Sequence, residues 1–171
     1  MRSTQLMLRL IVALCCIAGT PQARAAAPSP QAAVVVGGAV TTPLHLDAAA
    51  LRKLPRHSFE ATDHGRRSVW EGVALADVLR EAGAPLGDAL RGRNLALYVR
   101  VSAADGYRAV YSLAELDPAM HDGDVILADK RDGRALDDKE GLFRIIARDD
   151  KRPARWVRQV TAIDLVEAPA P

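Results

Sequence analysis

Alternation of apolar and polar residues predicts a series of short β-strands along this chain. The clearest alternation covers residues 95–101, where Leu95, Leu97, Val99 and Val101 are separated by other side chains. Asp105-Gly106 follows as a turn, and residues 108–112 are predicted to return as the second strand of a hairpin. Further strands are predicted at residues 44–46, 58–62, 125–128, 143–147 and 161–166.

Helical periodicity is shorter and rarer than strand alternation. Gly72 precedes an apolar stripe from Val73 to Ala82 that ends at Gly83, which predicts the longest helix. Asp47 is a candidate N-cap for a short helix that Pro55 ends. Residues 63–67 are predicted to form a polar turn and residues 113–116 a helical turn. Because strands outnumber helices, we expect a mixed α+β fold with a largely antiparallel or barrel-like sheet.

The first 25 residues have the pattern of a secretory signal peptide. Arg2 and Arg9 give the N-terminal segment a positive charge, and an apolar run covers residues 10–18. Ala23-Arg24-Ala25 then fits a small-residue cleavage site. The apolar run is too short to span a bilayer. We therefore expect export to the periplasm or beyond, with no membrane span in the mature form. Residues 26–33 are predicted to be a flexible leader, residues 34–167 one domain, and residues 168–171 a tail.

Charge and cysteine content exclude several functional classes once residues 1–25 are removed. Removal takes away three of the 23 Lys and Arg residues and no acid, so the charges nearly cancel (20 against 21). Together with an aromatic content of 4%, this gives no support for nucleic-acid binding. Cys15 and Cys16 are the two cysteines of the chain, and both lie in the predicted signal peptide. The mature form thus has no thiol for a disulfide, a nucleophile or an iron–sulfur cluster.

Two polar clusters carry the candidate chemistry, since no dinucleotide, P-loop or hydrolase motif is present. One is the run 63–67, in which an acid, a histidine and two arginines could converge on an anion. The other is the run 148–156, a loop that could face a phosphate and in which Trp156 could pack or stack. The alternative for both clusters is a solvated turn. His45, His57, His64 and His121 do not have metal-ligand spacing.

The order of motifs resembles the molybdopterin-binding domain of the sulfite oxidase family. The segment 44–55 is similar to that family's "LTLADLRALP", and residues 70–83 are similar to its "W-x-G-V-P-L…LL…AG" block. Residues 104–107 resemble its "DGY" turn, and residues 125–136 resemble "VLLA…NG…L". Gly141, Arg144 and Trp156 fall where "G-x-P-x-R" and "VKW" lie. The resemblance covers nearly the whole mature chain and implies the mixed α+β fold of that family.

The resemblance also implies a molybdopterin cleft, but two features of this chain depart from the family. Family enzymes hold molybdenum through one cysteine thiolate, and the corresponding segment here, residues 59–65, has no cysteine. A thiolate is a soft, charged ligand that Asp or His does not replace. The family's Gly-rich loop is replaced by residues 149–153, whose two acids would oppose a pterin phosphate. The cleft candidates are Asp63, His64, Arg66, Tyr107, Arg108, Arg144 and Arg155.

Three hypotheses follow, and whether the chain is an enzyme stays open. The first is a non-catalytic binding or redox-accessory module that uses the old cofactor cleft, with a small anionic ligand or a periplasmic redox partner and no committed cofactor. The second is a periplasmic molybdopterin-dependent oxidoreductase with atypical metal ligation, in which His64 or Asp63 lies near the metal. The third is a structural or partner-binding domain whose cleft is filled by its own side chains.

Overall fold

The computed structural model describes residues 33–169. The predicted signal peptide, the leader up to residue 32 and the last two residues of the predicted tail lie outside this part. The strands are β1 (Val34–Gly38), β2 (Leu44–Leu46), β3 (Arg56–Asp63), β4 (Arg66–Ala74), β5 (Leu97–Ala103), β6 (Arg108–Ser112), β7 (Val125–Arg131), β8 (Arg134–Ala135), β9 (Arg144–Ala147) and β10 (Val160–Glu167). The α-helices are α1 (Ala48–Leu51), α2 (Leu75–Glu81) and α3 (Leu113–Leu116).

The first sheet has the strand order β2-β1-β10-β5-β6. Its pairs are antiparallel except for β1 and β10, which run parallel with Val35 opposite Ala162. Residues of period two on β1, β5 and β10 point to one face and are buried there, among them Val99, Val101 and Ile163. This face forms one side of the hydrophobic core.

The second sheet has the order β3-β4-β7-β8, and β9 also pairs with β7. All its pairs are antiparallel, and β8 and β9 pair with different ends of β7. The β3–β4 hairpin turns at His64 and Gly65, which have φ values of 47° and 84°. Two consecutive positive φ values are typical of the two-residue turns that match strand twist. The hairpin therefore places Asp63 and His64 together at one end of this sheet.

The short helices cover the core, and α1 and α3 begin at side-chain caps. Leu75, Val78 and Leu79 of α2 are fully buried, as the apolar stripe predicted. Asp47 accepts a hydrogen bond from the Ala50 N–H at 2.7 Å, so the predicted cap of α1 is confirmed. Within residues 33–169 no helix combines the length and the apolar character that crossing a membrane requires.

The mixed α+β prediction with a largely antiparallel sheet is confirmed: within residues 33–169 the strands form two sheets, and β1–β10 is the one parallel pair. Two details of the predicted elements are wrong. Residues 66–74 form strand β4, whereas the sequence predicted a polar turn up to residue 67. The inward positions of β4 include Ser68 and Gly72, so hydrophobicity does not alternate along it. Leu95 belongs to the 3-10 turn over Gly92–Ala96 and not to β5.

Candidate functional site

A cleft of about 530 Å³ opens where the two sheets meet at the β3–β4 turn. Three parts of the chain form it: the β3–β4 turn, the turn between β5 and β6, and the segment after β9. Asp63 and Arg144 lie at its base, and Ala103, Pro153 and Trp156 form an apolar wall. Clefts of this size accept drug-sized ligands. The cleft is thus large enough for a small molecule and has both polar and apolar surfaces.

Four side chains of alternating charge lie beneath the cleft, and we call them the four-charge chain: Arg131, Glu140, Arg144 and Asp63. The Nη1 atom of Arg144 lies 2.9 Å from Asp63 Oδ2 and 2.7 Å from Glu140 Oε1. The same Glu140 oxygen lies 2.8 Å from Nη1 of Arg131. The Arg144 and Glu140 side chains are only 5% and 6% exposed, and that of Asp63 is 16% exposed. Buried charges require such partners, and this four-charge chain is neutral as a whole.

Two indole rings contact the guanidinium of Arg144. The rings of Trp70 and Trp156 meet edge to face, with centroids 6.2 Å apart and an interplanar angle of 81°. The Arg144 guanidinium carbon lies 5.0 Å from the Trp70 centroid and 5.7 Å from the Trp156 centroid. We call these two rings the indole bracket. Desolvated cation–π contacts of this kind stabilise the charged guanidinium and restrict its orientation.

The segment after β9 is held by two tyrosines. The Tyr107 hydroxyl donates to the Ala154 carbonyl at 2.6 Å, and the Tyr111 hydroxyl donates to the Arg155 carbonyl at 2.5 Å. Burial raises the pKa of Tyr111 well above its ordinary value of 10.0, so this donor stays protonated. The hydrogen bonds that Arg155 donates to Asp150 raise the pKa of Arg155, which also donates to Glu115 at 2.6 Å. These contacts fix the wall of the cleft.

The mouth of the cleft carries two arginines that are not neutralised. Arg152 and Arg158 are exposed and line the cleft. Within residues 33–169, the ion pairs of this segment are made by Arg148 and Arg155 and not by these two residues. Asp105 is the acid that lines the mouth together with these two arginines. Since the base is neutral, the cleft has a net positive charge.

Four of the seven predicted cleft residues come together in this cleft: Asp63, His64, Tyr107 and Arg144. The other three lie elsewhere. Arg66 binds Asp132 at 3.2 Å and lines a separate cleft with Arg131, while Arg108 is exposed on β6. Arg155 turns to Asp150 and Glu115, over the Tyr111 ring. Their proposed role in binding stays a prediction for all seven residues.

Sequence reasoning passed over Glu140, Arg152 and Arg158. Arg152 belongs to the polar run 148–156 and was visible there, but nothing distinguished it from its charged neighbours. Glu140 and Arg144 are four residues apart, yet no helix joins them: the chain turns between them at Gly141, which has a φ of 77°. Their contact depends on this turn, so the sequence had no periodic signal for it.

The acids at 149 and 150 do not line the cleft of about 530 Å³. Asp150 pairs with Arg155 at 2.5 Å, and Asp149 lies 3.9 Å from Arg148. Both residues line a neighbouring cavity of about 190 Å³, and Asp150 also lines a second cleft of about 500 Å³. The expectation that these acids oppose a pterin phosphate stays a prediction.

The donor set does not fit a thiolate-held molybdenum. The second cleft of about 500 Å³ adjoins the first and shares His64, Pro153 and Trp156 with it. Ala61, from the segment where the family resemblance places the cysteine, lines this second cleft with a methyl group. Across residues 33–169, no three His, Cys, Asp or Glu side chains are grouped so as to hold a metal ion. The carboxylates nearest the base already neutralise arginines.

The comparisons with known proteins identify the family. No curated protein matches the chain. Its fold is similar to that of the sulfane dehydrogenase SoxCD from Paracoccus pantotrophus, with a TM-score of 0.62 and 18% identity over 78% of this chain. This chain spans 37% of that larger one, and the likeness concerns the fold. The model of the oxidoreductase molybdopterin binding domain matches residues 24–171. The chain therefore belongs to the oxidoreductase molybdopterin-binding domain family.

Proposed function

We propose that this chain is an exported, non-catalytic member of its family that binds a small anionic ligand in the cleft without a thiolate-held molybdenum. The observation that carries this proposal is the combination of an open cleft of about 530 Å³ with two arginines at its mouth, neither of which has a carboxylate partner among residues 33–169. The apolar wall at Ala103 and Pro153 suits the body of an organic molecule.

Charge distribution supports an anion over a cation. The buried charges at the base cancel, so Arg152 and Arg158 outweigh Asp105 at the mouth. Guanidinium groups bind carboxylates and phosphates through paired N–H donors. Low-dielectric walls strengthen this attraction relative to open solvent. The charge of the cleft therefore suits a ligand with one or two negative charges.

A molybdopterin-dependent oxidoreductase with atypical ligation is the second candidate. Family membership favours it, and so does the fact that His64 and Asp63 both line the cleft, with Nε2 and Oδ1 3.6 Å apart. Against it stand the methyl group of Ala61 and the pairing of Asp63 with Arg144. The third hypothesis, a cleft filled by its own side chains, is disfavoured because the cleft is open.

Analysis of full-length protein from its native host tests the proposal. Native mass spectrometry reports any bound small molecule, elemental analysis reports molybdenum, and the mass of the chain reports removal of residues 1–25. We expect a processed chain from the periplasmic fraction, with substoichiometric molybdenum. One molybdenum atom per chain would overturn the proposal in favour of the second candidate.

Anion binding can be tested directly by calorimetric titration with inorganic phosphate. The double substitution Arg152→Ala/Arg158→Ala should weaken binding about fivefold or more, because two exposed positive charges are removed. Arg91→Ala/Arg134→Ala is the matched control, since both arginines are exposed and neither lines the cleft. Equal losses in the two double variants would indicate a general charge effect and count against a specific site.

A further inference from the structure

We infer that Glu140 is a positioning residue for the cleft: it orients the Arg144 guanidinium in the indole bracket and so sets how the base of the cleft meets an anion. This inference rests on the proposed function. Glu140 does not line the cleft of about 530 Å³, whereas Arg144 does. Apart from the long-range effect of its charge, Glu140 can therefore act on a ligand there only through Arg144.

The backbone of Glu140 is fixed on both sides. Its N–H donates to the Asp137 carbonyl at 3.0 Å and to Asp137 Oδ1 at 3.0 Å. Its carbonyl accepts from the Gln159 N–H at 2.8 Å. The following residue, Gly141, lies so close to Gln159 that a Cβ would come within 2.8 Å of the Gln159 Cα. The carboxylate thus extends from a backbone that has little freedom to shift.

The carboxylate contacts two guanidinium groups through one oxygen. Glu140 Oε1 accepts from Arg144 Nη1 at 2.7 Å and from Arg131 Nη1 at 2.8 Å. The guanidinium of Arg131 lies 5.3 Å from the Trp70 centroid, so both arginines that Glu140 contacts also lie against the indole bracket. Asp63 contacts the same Arg144 nitrogen, Nη1, at 2.9 Å. Because two carboxylates contact Nη1, they fix the orientation of the Arg144 guanidinium against the indole bracket.

Stability alone is a poor reason for this arrangement. Burying an ion pair costs desolvation energy that the Coulomb attraction often only offsets, so apolar replacements of buried pairs are often neutral or stabilising. The four-charge chain also contains buried atoms that have no hydrogen-bond partner within residues 33–169, including Glu140 Oε2, Arg144 Nε and Asp63 Oδ1. Such a costly arrangement is better explained by the geometry that it maintains.

The sign of an affinity change separates positioning from simple electrostatics. Glu140→Gln keeps the shape and removes a negative charge close to an anion site. Bulk electrostatics predicts tighter binding of inorganic phosphate, whereas positioning predicts binding weakened about tenfold, which corresponds to about 1.4 kcal/mol. Glu140→Asp keeps the charge and shortens the reach. Positioning predicts weaker binding here too, and bulk electrostatics predicts no change.

Asp117→Asn is the control for a merely structural role. Asp117 is equally buried and accepts from the Gly87 and Ala119 N–H groups, but it does not line the cleft. We expect this variant to lower the melting temperature and leave phosphate affinity unchanged. If it weakens binding as much as Glu140→Gln does, general destabilisation explains both results and the inference is wrong.

The ligand-free protein gives an independent readout. The chain has two tryptophans, and both form the indole bracket. Glu140→Gln and Glu140→Asp should therefore shift the tryptophan emission and the NMR signals of the Arg144 Nε–H and both indole N–H groups, while Asp117→Asn should not. If wild-type protein does not bind phosphate, the proposed anion-binding function is wrong for phosphate. The tryptophan emission and the NMR signals still test whether Glu140 positions Arg144. Unshifted signals, or unchanged or tighter phosphate binding in both Glu140 variants, overturn the positioning role.

Discussion

Substitution of Gly72 by alanine should be among the costliest single-methyl additions in this protein. Gly72 lies on β4 where β7 approaches most closely, next to a register shift between Glu71 and Gly72. A Cβ at this position would lie 2.3 Å from the Leu127 carbonyl oxygen and 2.6 Å from the Ala128 Cα. Both are backbone atoms, so no side-chain rotation relieves the overlap. Ordinary contact begins at 3.4 Å, and the strands must therefore separate by about 1 Å.

The free-energy cost of this separation follows from the packing around it. Overpacking a well-packed core costs about 1–3 kcal/mol. Because Gly72 is buried and the overlap involves the β4–β7 hydrogen-bond ladder, we expect the upper end, about 3 kcal/mol. For a domain of this size, each kcal/mol lowers the melting temperature by about 4 °C, so the expected decrease is about 12 °C.

Thermal unfolding followed by circular dichroism measures this decrease, and Gly65→Ala is the matched control. Gly65 has a φ of 84° and nothing within 4 Å of an added Cβ, so its substitution costs backbone strain alone, about 1 kcal/mol. The two variants add the same methyl group, one inside strand β4 and the other in the turn that precedes it. A melting temperature for Gly72→Ala at or above that of Gly65→Ala would refute the steric reasoning.

Three further predictions concern a cap and two titrating groups. Asp47→Ala removes the hydrogen bond to the Ala50 N–H and should cost about 1 kcal/mol in chemical unfolding, whereas an unchanged midpoint would show that the cap is dispensable. Asp132 has a pKa lowered chiefly by the Val69 N–H, with help from Ser68 and Arg66, so its contribution is present above pH 3.8 and is lost as the pH falls through the lowered value. Asp132→Asn should therefore lower the melting temperature at pH 7, with a difference from wild type that shrinks in acid; a difference independent of pH contradicts this. Burial raises the pKa of Tyr111, so its contribution to the free energy of unfolding is complete below pH 10.0 and is lost as the pH rises above that value. Tyr111→Phe should therefore flatten the alkaline decrease in stability measured by unfolding titrations. An equally steep decrease in the variant would contradict the raised pKa of Tyr111.

Strong period-two alternation and turn chemistry made much of the fold predictable. The β5–β6 hairpin has apolar residues on one face and Asp105-Gly106 at its turn, so local chemistry and tertiary position agree. Strand β4 shows why other elements were missed. Its inward face holds Ser68 and Gly72 because a hydroxyl there binds Asp132 and because β7 leaves no room for a side chain. Tertiary constraints of this kind have no local pattern.

The candidate site was predictable only where residues of one segment act together. Asp63 and His64 share the β3–β4 turn and were found as neighbours in sequence. The contact between Arg144 and Asp63 joins positions 81 residues apart, and no periodicity reports on it. Arg155 was proposed because a guanidinium in a polar loop suggested a ligand contact. It pairs with Asp150 and Glu115 and does not line the cleft, and its role in binding stays a prediction.

The parallel pairing of β1 with β10 has a consequence for how the molecule is assembled. β10 inserts between β1 and β5, so the middle of the first sheet is missing until residues 160–167 arrive. A nascent chain that lacks them leaves the inner edges of two apolar strands without partners, and contacts between such distant segments form slowly. Completion of this sheet therefore comes late in folding, and a chain cut short before residue 160 should be recognised by proteases rather than accumulate as a smaller stable domain.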